Sequence, residues 1–220
     1  MDATPPRWKR RKDARPAEIL EAALDVFAER GFTATRMDDV AARAGVTKGT
    51  VYLYFKTKEE LFKALVRSEL LPNLAAVENT AGNEPAAELL GRLVRMWVER
   101  VLPSRVGVLP KLMIAEAGNF PELAKFYLHE VVHRGLALVR RVITRGVTAG
   151  DFRPVDVDQV AYLIIAPLLL TVLWKHSFGP HDDRPMDATA LIRAHLDVLL
   201  NGLKNPTRPA AAGPRKVTRK

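Results

Sequence analysis

The chain has 220 residues, 48% of them apolar, no cysteine and a net charge of +9. That length suits one small plus one medium domain, or a single larger one, with enough apolar material for a core. The lack of cysteine excludes a disulfide framework, a thiolate metal site and a thiol nucleophile.

The charge is unevenly placed. Residues 1–15 carry six basic side chains (Arg7, Lys9, Arg10, Arg11, Lys12, Arg15) against Asp2 and Asp13. Residues 204–220 carry six more (Lys204, Arg208, Arg215, Lys216, Arg219, Lys220) and no acid. The tails thus hold +4 and +6, which leaves −1 for residues 16–203. A nearly neutral body with two flexible basic arms favours polyanions through counterion release, without sequence preference. Solubility is the plainer reading of such arms. No apolar run follows the basic N-terminus, as a secretory signal needs. The longest apolar run, Val160 to Trp174, has 15 residues with Pro167 inside, short of the about 20 needed to span a membrane. It is expected to be a buried core helix, in a cytoplasmic protein with no membrane partner.

Glycine, proline and capping residues divide the chain into helices, and no strand-like alternation stands out. The first helix is expected over about 16–30, with Pro16 at its first position and Gly31 as its stop. The second runs about 36–44, capped by Thr35 and ended by Gly45. The third runs about 48–54, capped by Thr47. The fourth opens with a capping box at Thr57–Glu60 and ends at Pro72. Longer helices follow at about 85–101, 106–117, 121–149, 157–177 and 187–202. Residues from Lys204 onward are rich in Pro, Ala and Lys/Arg and read as disordered. The helix holding 160–174 is apolar nearly all round and must be covered on most faces, for which a dimer interface is one explanation.

Residues 36–54 give helix, glycine-containing turn, helix. The third helix is too short to be stable alone, so Val40, Ala41, Val46, Val51 and Phe55 must pack it on its neighbours. That leaves Thr47, Lys48, Thr50, Tyr52 and Tyr54 on the outside. Hydroxyls and a lysine at a helix start donate to phosphates or base edges, and Gly49 lets the backbone come close to its partner.

On these residues the chain resembles the TetR family of repressors. Residues 19–35 (ILEAALDVFAERGFTAT) resemble that family's first helix and following turn, and residues 36–62 (RMDDVAARAGVTKGTVYLYFKTKEELF) resemble its operator-binding core. The resemblance implies DNA-contacting roles for Thr35, Thr47, Lys48, Gly49, Thr50, Tyr52, Tyr54, Lys56 and Lys58. Thr35 would hold a phosphate and Lys58 would grip the DNA backbone. Residues 112–123 (LMIAEAGNFPEL) and the helix after them are similar to the C-terminal domain of one proteobacterial TetR subgroup. That domain is helical, dimerises through its last two helices and encloses a small-molecule pocket.

The fold expected is therefore all-α. A three-helix DNA-binding domain at 16–58 follows a basic arm at 1–15. A larger ligand-binding and dimerisation domain at 59–203 precedes the basic tail at 204–220. The partners expected are double-stranded DNA, a second copy of the chain and a small organic effector. Met96, Trp97, Met113, Phe120, Phe126, Tyr127, Tyr162 and Trp174 are candidate pocket residues, since aromatic and Met side chains line pockets well. Plain core is the competing reading for each; Trp97, Met113, Phe126, Tyr127, Tyr162 and Trp174 are carried forward.

One enzyme motif is literally present: HEVVH at 129–133 fits the zinc-protease helix. On a straight helix turning about 100° per residue from Gly135, Leu128, Val131, Val132, Val139 and Val142 form an apolar stripe. His129 then falls near 120° and His133 near 160°, beside Arg140 near 140°, on the polar side. A zinc site wants an anionic second shell, and Arg140 sits near where the third His of the longer motif belongs. Neither enzyme activity nor a metal or cofactor is expected. A DNA-packaging protein that binds without sequence preference is the other alternative; it explains the tails but not the ordered 35–58 constellation.

Overall fold

The structure, a computed structural model, describes residues 7–79 and 84–206. Helix α1 (Arg7–Ala34) begins nine residues before the expected start, so Pro16 lies inside it. Proline leaves the carbonyl four residues back without its usual donor. The Lys, Arg and Ala residues around it are good helix formers and carry the helix across the gap. Gly31 does end the regular helix, at φ 77° and ψ 172°, a conformation costly for any side chain.

Helices α2 (Met37–Arg43), α3 (Lys48–Tyr54) and α4 (Lys58–Leu65) follow closely. Thr57 accepts the Glu60 N–H at 3.1 Å, while the Glu60 carboxylate takes the Lys56 N–H rather than that of Thr57. Pro72 does not end this helix. A wide π-turn at Val66–Leu70 leads into α5 (Leu71–Asn79). In it the Leu71 N–H reaches back five residues to the Val66 carbonyl. The wider turn carries the chain past Pro72, whose ring would clash in a regular turn.

The second half of the chain holds α6 (Ala86–Met96), α7 (Val108–Glu116), α8 (Pro121–Tyr127), α9 (Arg134–Thr148), α10 (Val157–Leu173) and α11 (Ala188–Leu203). Asp156 caps α10 through the N–H groups of Asp158 and Gln159, both at 3.1 Å, and Asp187 caps α11 through Ala190. No strand occurs among the described residues. An isolated bridge between Phe152 and Lys204 ties the end of α11 to the α9–α10 connection.

A further π-turn, Leu128–His133, joins α8 to α9 and changes the expected apolar stripe. One extra residue in a turn rotates what precedes it by about 100°. Leu123 and Tyr127 are accordingly the buried positions before it, and Leu128 is exposed.

Two cores result. The first joins α1–α4 with α7 and α8: Phe27, Phe32 and Phe62 meet at 5.4–5.8 Å between ring centres, and Phe120 stacks edge-on to Phe32 at 4.8 Å. The second joins α6, α9, α10 and α11 around Leu90, Ile143, Ile164 and Phe152. Helix α10, expected to be covered on most faces with a dimer interface as one explanation, is not so covered within one chain. Tyr162 is 53% and Leu163 59% exposed, and Leu170 is also exposed. With the turns that continue it, Val157–His181 is long and apolar enough to cross a membrane by length and composition alone.

Candidate nucleic-acid interface

The α2–α3 unit is held by its own backbone and by α1. The Val46 N–H returns to the Ala41 carbonyl at 3.0 Å, and Gly45 makes the turn at φ 63°. Val40, Ala41 and Val51 are buried beneath it. Ion pairs fasten α2 to α1: Arg43 with Glu29 at 2.6 Å, and Arg30 with Asp39 at 2.7 Å. Such exposed pairs fix orientation more than stability.

The outward groups sit at the start of α3. Thr47 caps the helix, accepting the Thr50 N–H at 3.3 Å, and the two hydroxyls lie 2.9 Å apart. Lys48 pairs with Asp38 at 2.9 Å, and this hydrogen bond raises the lysine pKa. The Lys48 ammonium also lies 5.9 Å from the Tyr52 ring centre. Thr47, Lys48, Gly49, Tyr52 and Lys56 are exposed and Thr50 is half-buried. All but Lys56 gather at the start and on the outer side of α3, and Lys56 follows its end.

Three expected contact residues are turned elsewhere. Thr35 does not cap α2; it is buried, and its hydroxyl donates to the Gly31 carbonyl at 2.6 Å, closing the turn that Gly31 opens. The α2 cap is Arg36, whose N–H is taken by Asp39 at 3.1 Å. Tyr54 is half-buried against the first core. Lys58 points inward: its ammonium donates to the carbonyls of Phe32 (2.7 Å), Thr33 (3.0 Å) and Thr35 (3.1 Å) and lies 4.6 Å from the Phe32 ring centre. Burial lowers its pKa, against the opposing pull of Glu59 and Glu116.

The same α1–α2 turn is gripped from the second half of the chain. Glu116, at the end of α7, accepts the Thr33 N–H at 3.2 Å and its hydroxyl at 2.8 Å. Burial would raise the Glu116 pKa; hydrogen bonds from Asn119 and Thr33 and the charge of Lys58 outweigh it and hold the pKa low. In the short 3-10 turn Arg105–Gly107 that leads into α7, Arg105 pairs with Asp25 and, at 3.2 Å, with Glu21. The segment from Arg105 to Glu116 is thus tied at both ends to α1. Sequence could not reveal this, since the partners lie about 80 positions apart and no local pattern links them. Leu53 is 73% exposed on α3, where its angle from Val51 and Phe55 points it outward.

The candidate pocket residues do not converge. Met113, Phe126 and Tyr127 pack with the first core and Trp97 with the second. Tyr162 faces outward, and the Trp174 Nε1 donates to Asp182 at 3.0 Å. Two open clefts occur elsewhere. One, of about 540 Å³, is lined by Arg140, Arg141 and Arg145; the other, of about 480 Å³, runs between α6 and α11. The ring nitrogens Trp97 Nε1, His176 Nε2 and His195 Nε2 are buried without a partner. The His129 and His133 rings lie 5.2 Å apart on the exposed π-turn, and no group of three metal-ligating side chains forms among the described residues.

Comparison with known proteins places this geometry. Residues 19–65 match the family described as bacterial regulatory proteins, tetR family, and residues 86–192 match a tetracyclin repressor-like C-terminal domain. The transcriptional repressor KstR2 of Mycobacterium tuberculosis is 29% identical over 197 residues, covering 87% of this chain and 94% of the repressor. The fatty acid degradation regulator FadR from Bacillus halodurans is 26% identical, with a TM-score of 0.68 over 93% of this chain and all of that one. FadR from Bacillus subtilis, solved with stearoyl-CoA, has a TM-score of 0.72 at 24% identity, covering 85% of this chain and 98% of its own. The chain belongs to the tetR family of bacterial regulatory proteins.

Proposed function

We propose that this protein is a sequence-specific DNA-binding regulator of transcription, a ligand-responsive repressor that acts as a homodimer on a pseudo-palindromic operator in the cytoplasm. It is not an enzyme. The observation that carries the reading is the edge of α3, where Thr47, Lys48, Gly49, Thr50 and Tyr52 face outward on a helix held rigidly from behind. Lys56 stands beside that edge. Thr35 and Lys58 act from within, by fixing the turn that sets the angle of α2 and α3. The bare strip of α10 is read as the dimer face, which supports two copies of α3 about 34–36 Å apart on successive major grooves.

Residues 16–58 are read as the DNA-binding domain and 59–203 as the regulatory domain, the latter similar to that of a proteobacterial subgroup. The basic ends are read as adding affinity without specificity; residues 7–15 of the expected flexible arm instead form the start of α1, and residues 1–6 and 207–220 lie outside the described residues. The effector is read as a partly apolar organic molecule. Trp97, Met113, Phe126, Tyr127 and Trp174 remain candidate contacts, Tyr162 belonging to the strip read as the dimer face, and the three unpartnered ring nitrogens offer polar ones. A ligand shifts the equilibrium only by its differential affinity for two states. The ties of Glu116 and Arg105 to α1 provide a path from α7 to the DNA-reading unit. Stearoyl-CoA, bound by the Bacillus subtilis FadR, is the first probe to try.

Competition binding at stated salt tests the reading. A regulator prefers its operator over random duplex by about 10³ or more, whereas equal affinity identifies a packaging protein.

A further inference from the structure

Helix α3 carries one outward group that no polar contact explains. Leu53 is 73% exposed, more than any other large apolar side chain of this helix. Isolated exposed leucines are ordinary on protein surfaces, so position must decide its meaning.

Val51 and Phe55 are buried and define the direction of the core. At about 100° per residue, Leu53 lies about 160° from each, on opposite sides, and so points directly away from it. Gly49, one turn earlier, shares this outermost face. A side chain on a helix leans back toward the preceding turn, which puts Leu53 on the Gly49 side of the helix without covering it, since no Leu53 side-chain atom lies within 4 Å of a Cβ built on Gly49.

The glycine is not required by the fold. Gly49 has no positive φ, and a Cβ built on it would meet only Thr47 Oγ1, at 3.9 Å. Glycine is a poor helix residue, so a bare position in a seven-residue helix calls for another cause. Close approach of a partner supplies one. The flanking polar groups are already engaged: Lys48 with Asp38, and Thr50 with Thr47. The outermost face is therefore an apolar knob beside a bare strip of backbone, flanked by polar groups.

Among the base edges of the major groove, the matching apolar feature is the C5-methyl group of thymine. We propose that Leu53 is a specificity-determining residue that reads a thymine methyl in each operator half-site, with Gly49 leaving the room for that methyl to approach. This inference rests on the operator-binding reading above.

The test uses the full-length protein and an operator selected from random duplexes. Each thymine is replaced in turn by deoxyuridine, in both half-sites together, which removes only the methyl. Affinities of the wild type and of Leu53→Ala are read by fluorescence anisotropy. At one thymine per half-site, the wild type loses about fourfold per methyl, the effect of uncovering about one buried methyl-sized group. Leu53→Ala, lacking the contact, changes there by less than about 1.5-fold. Equal responses of the two proteins at every thymine overturn the proposal, as does a wild type indifferent to all the substitutions. Unchanged binding of Leu53→Ala to random duplex shows that the variant is folded. A protein that selects no operator overturns the DNA-reading function itself, which is a separate result.

Discussion

Lys58 illustrates how surroundings decide the work of a charged side chain. Its resemblance to a phosphate-gripping lysine implied an outward ammonium. The structure instead spends all three of its N–H donors on the carbonyls of Phe32, Thr33 and Thr35. Hydrogen bonds from a charged donor stabilise by about 1.5–3 kcal/mol each, and they are not additive. Lys58→Ala should therefore cost about 2 kcal/mol of folding stability, read by urea unfolding. It should weaken binding to operator and random DNA alike while leaving the salt dependence unchanged. A lysine bound to phosphate would instead flatten the slope of log K against log salt by about one. Thr35 and Tyr54 teach the same lesson. Their residue types permit a DNA contact, but a turn at Gly31 and the first core claim them, and neither demand is visible in a local pattern.

Helix limits were legible wherever a local signal sets them. Thr47, Thr57 and Asp156 cap where their side chains can accept N–H groups from the next turn, and Gly31 and Gly45 break where φ must be positive. The π-turns were not legible: Pro72 marks a helix stop as readily as the wide turn that passes it. The one at Leu128–His133 lets α8 face the first core and α9 the second. Close packing can also be tested on a single element. A Cβ on Gly146 of α9 would lie 2.3 Å from the Phe152 ring and 2.9 Å from the Ala86 side chain. Phe152 is buried and cannot swing freely into solvent. Gly146→Ala should cost about 1–3 kcal/mol, as overpacking does, despite the better helix propensity of alanine. Thermal unfolding checks this, and a stabilised variant would show that the ring can yield.

In the molecule as a whole the described residues form two cores, and α7 and α8 belong to the first while the helices on either side of them in sequence, α6 and α9–α11, build the second. A division at residue 58 follows the sequence resemblance. The packing of Phe120 on Phe32 and the ties of Glu116 and Arg105 to α1 make the two halves mechanically continuous. Acid should loosen the regulatory half first. Burial lowers the pKa of His176, helped by Lys175 and Lys111, and burial also lowers that of His195. A histidine with a depressed folded-state pKa favours folding above its ordinary value of 6.5 and loses that contribution as pH falls through the folded value. The unfolding free energy should thus decline as pH falls below the ordinary histidine value of 6.5, and changing both histidines to Gln should flatten the decline.

Selection of bound fragments from a pool of random duplexes would probe the outward edge of α3 and its duplication most directly. The recovered sites should converge on two inverted half-sites with centres about one helical turn apart, or a multiple of that, bound by an even number of chains. Recovery of a single asymmetric site bound by one chain, or of sequences no different from the starting pool, would contradict it.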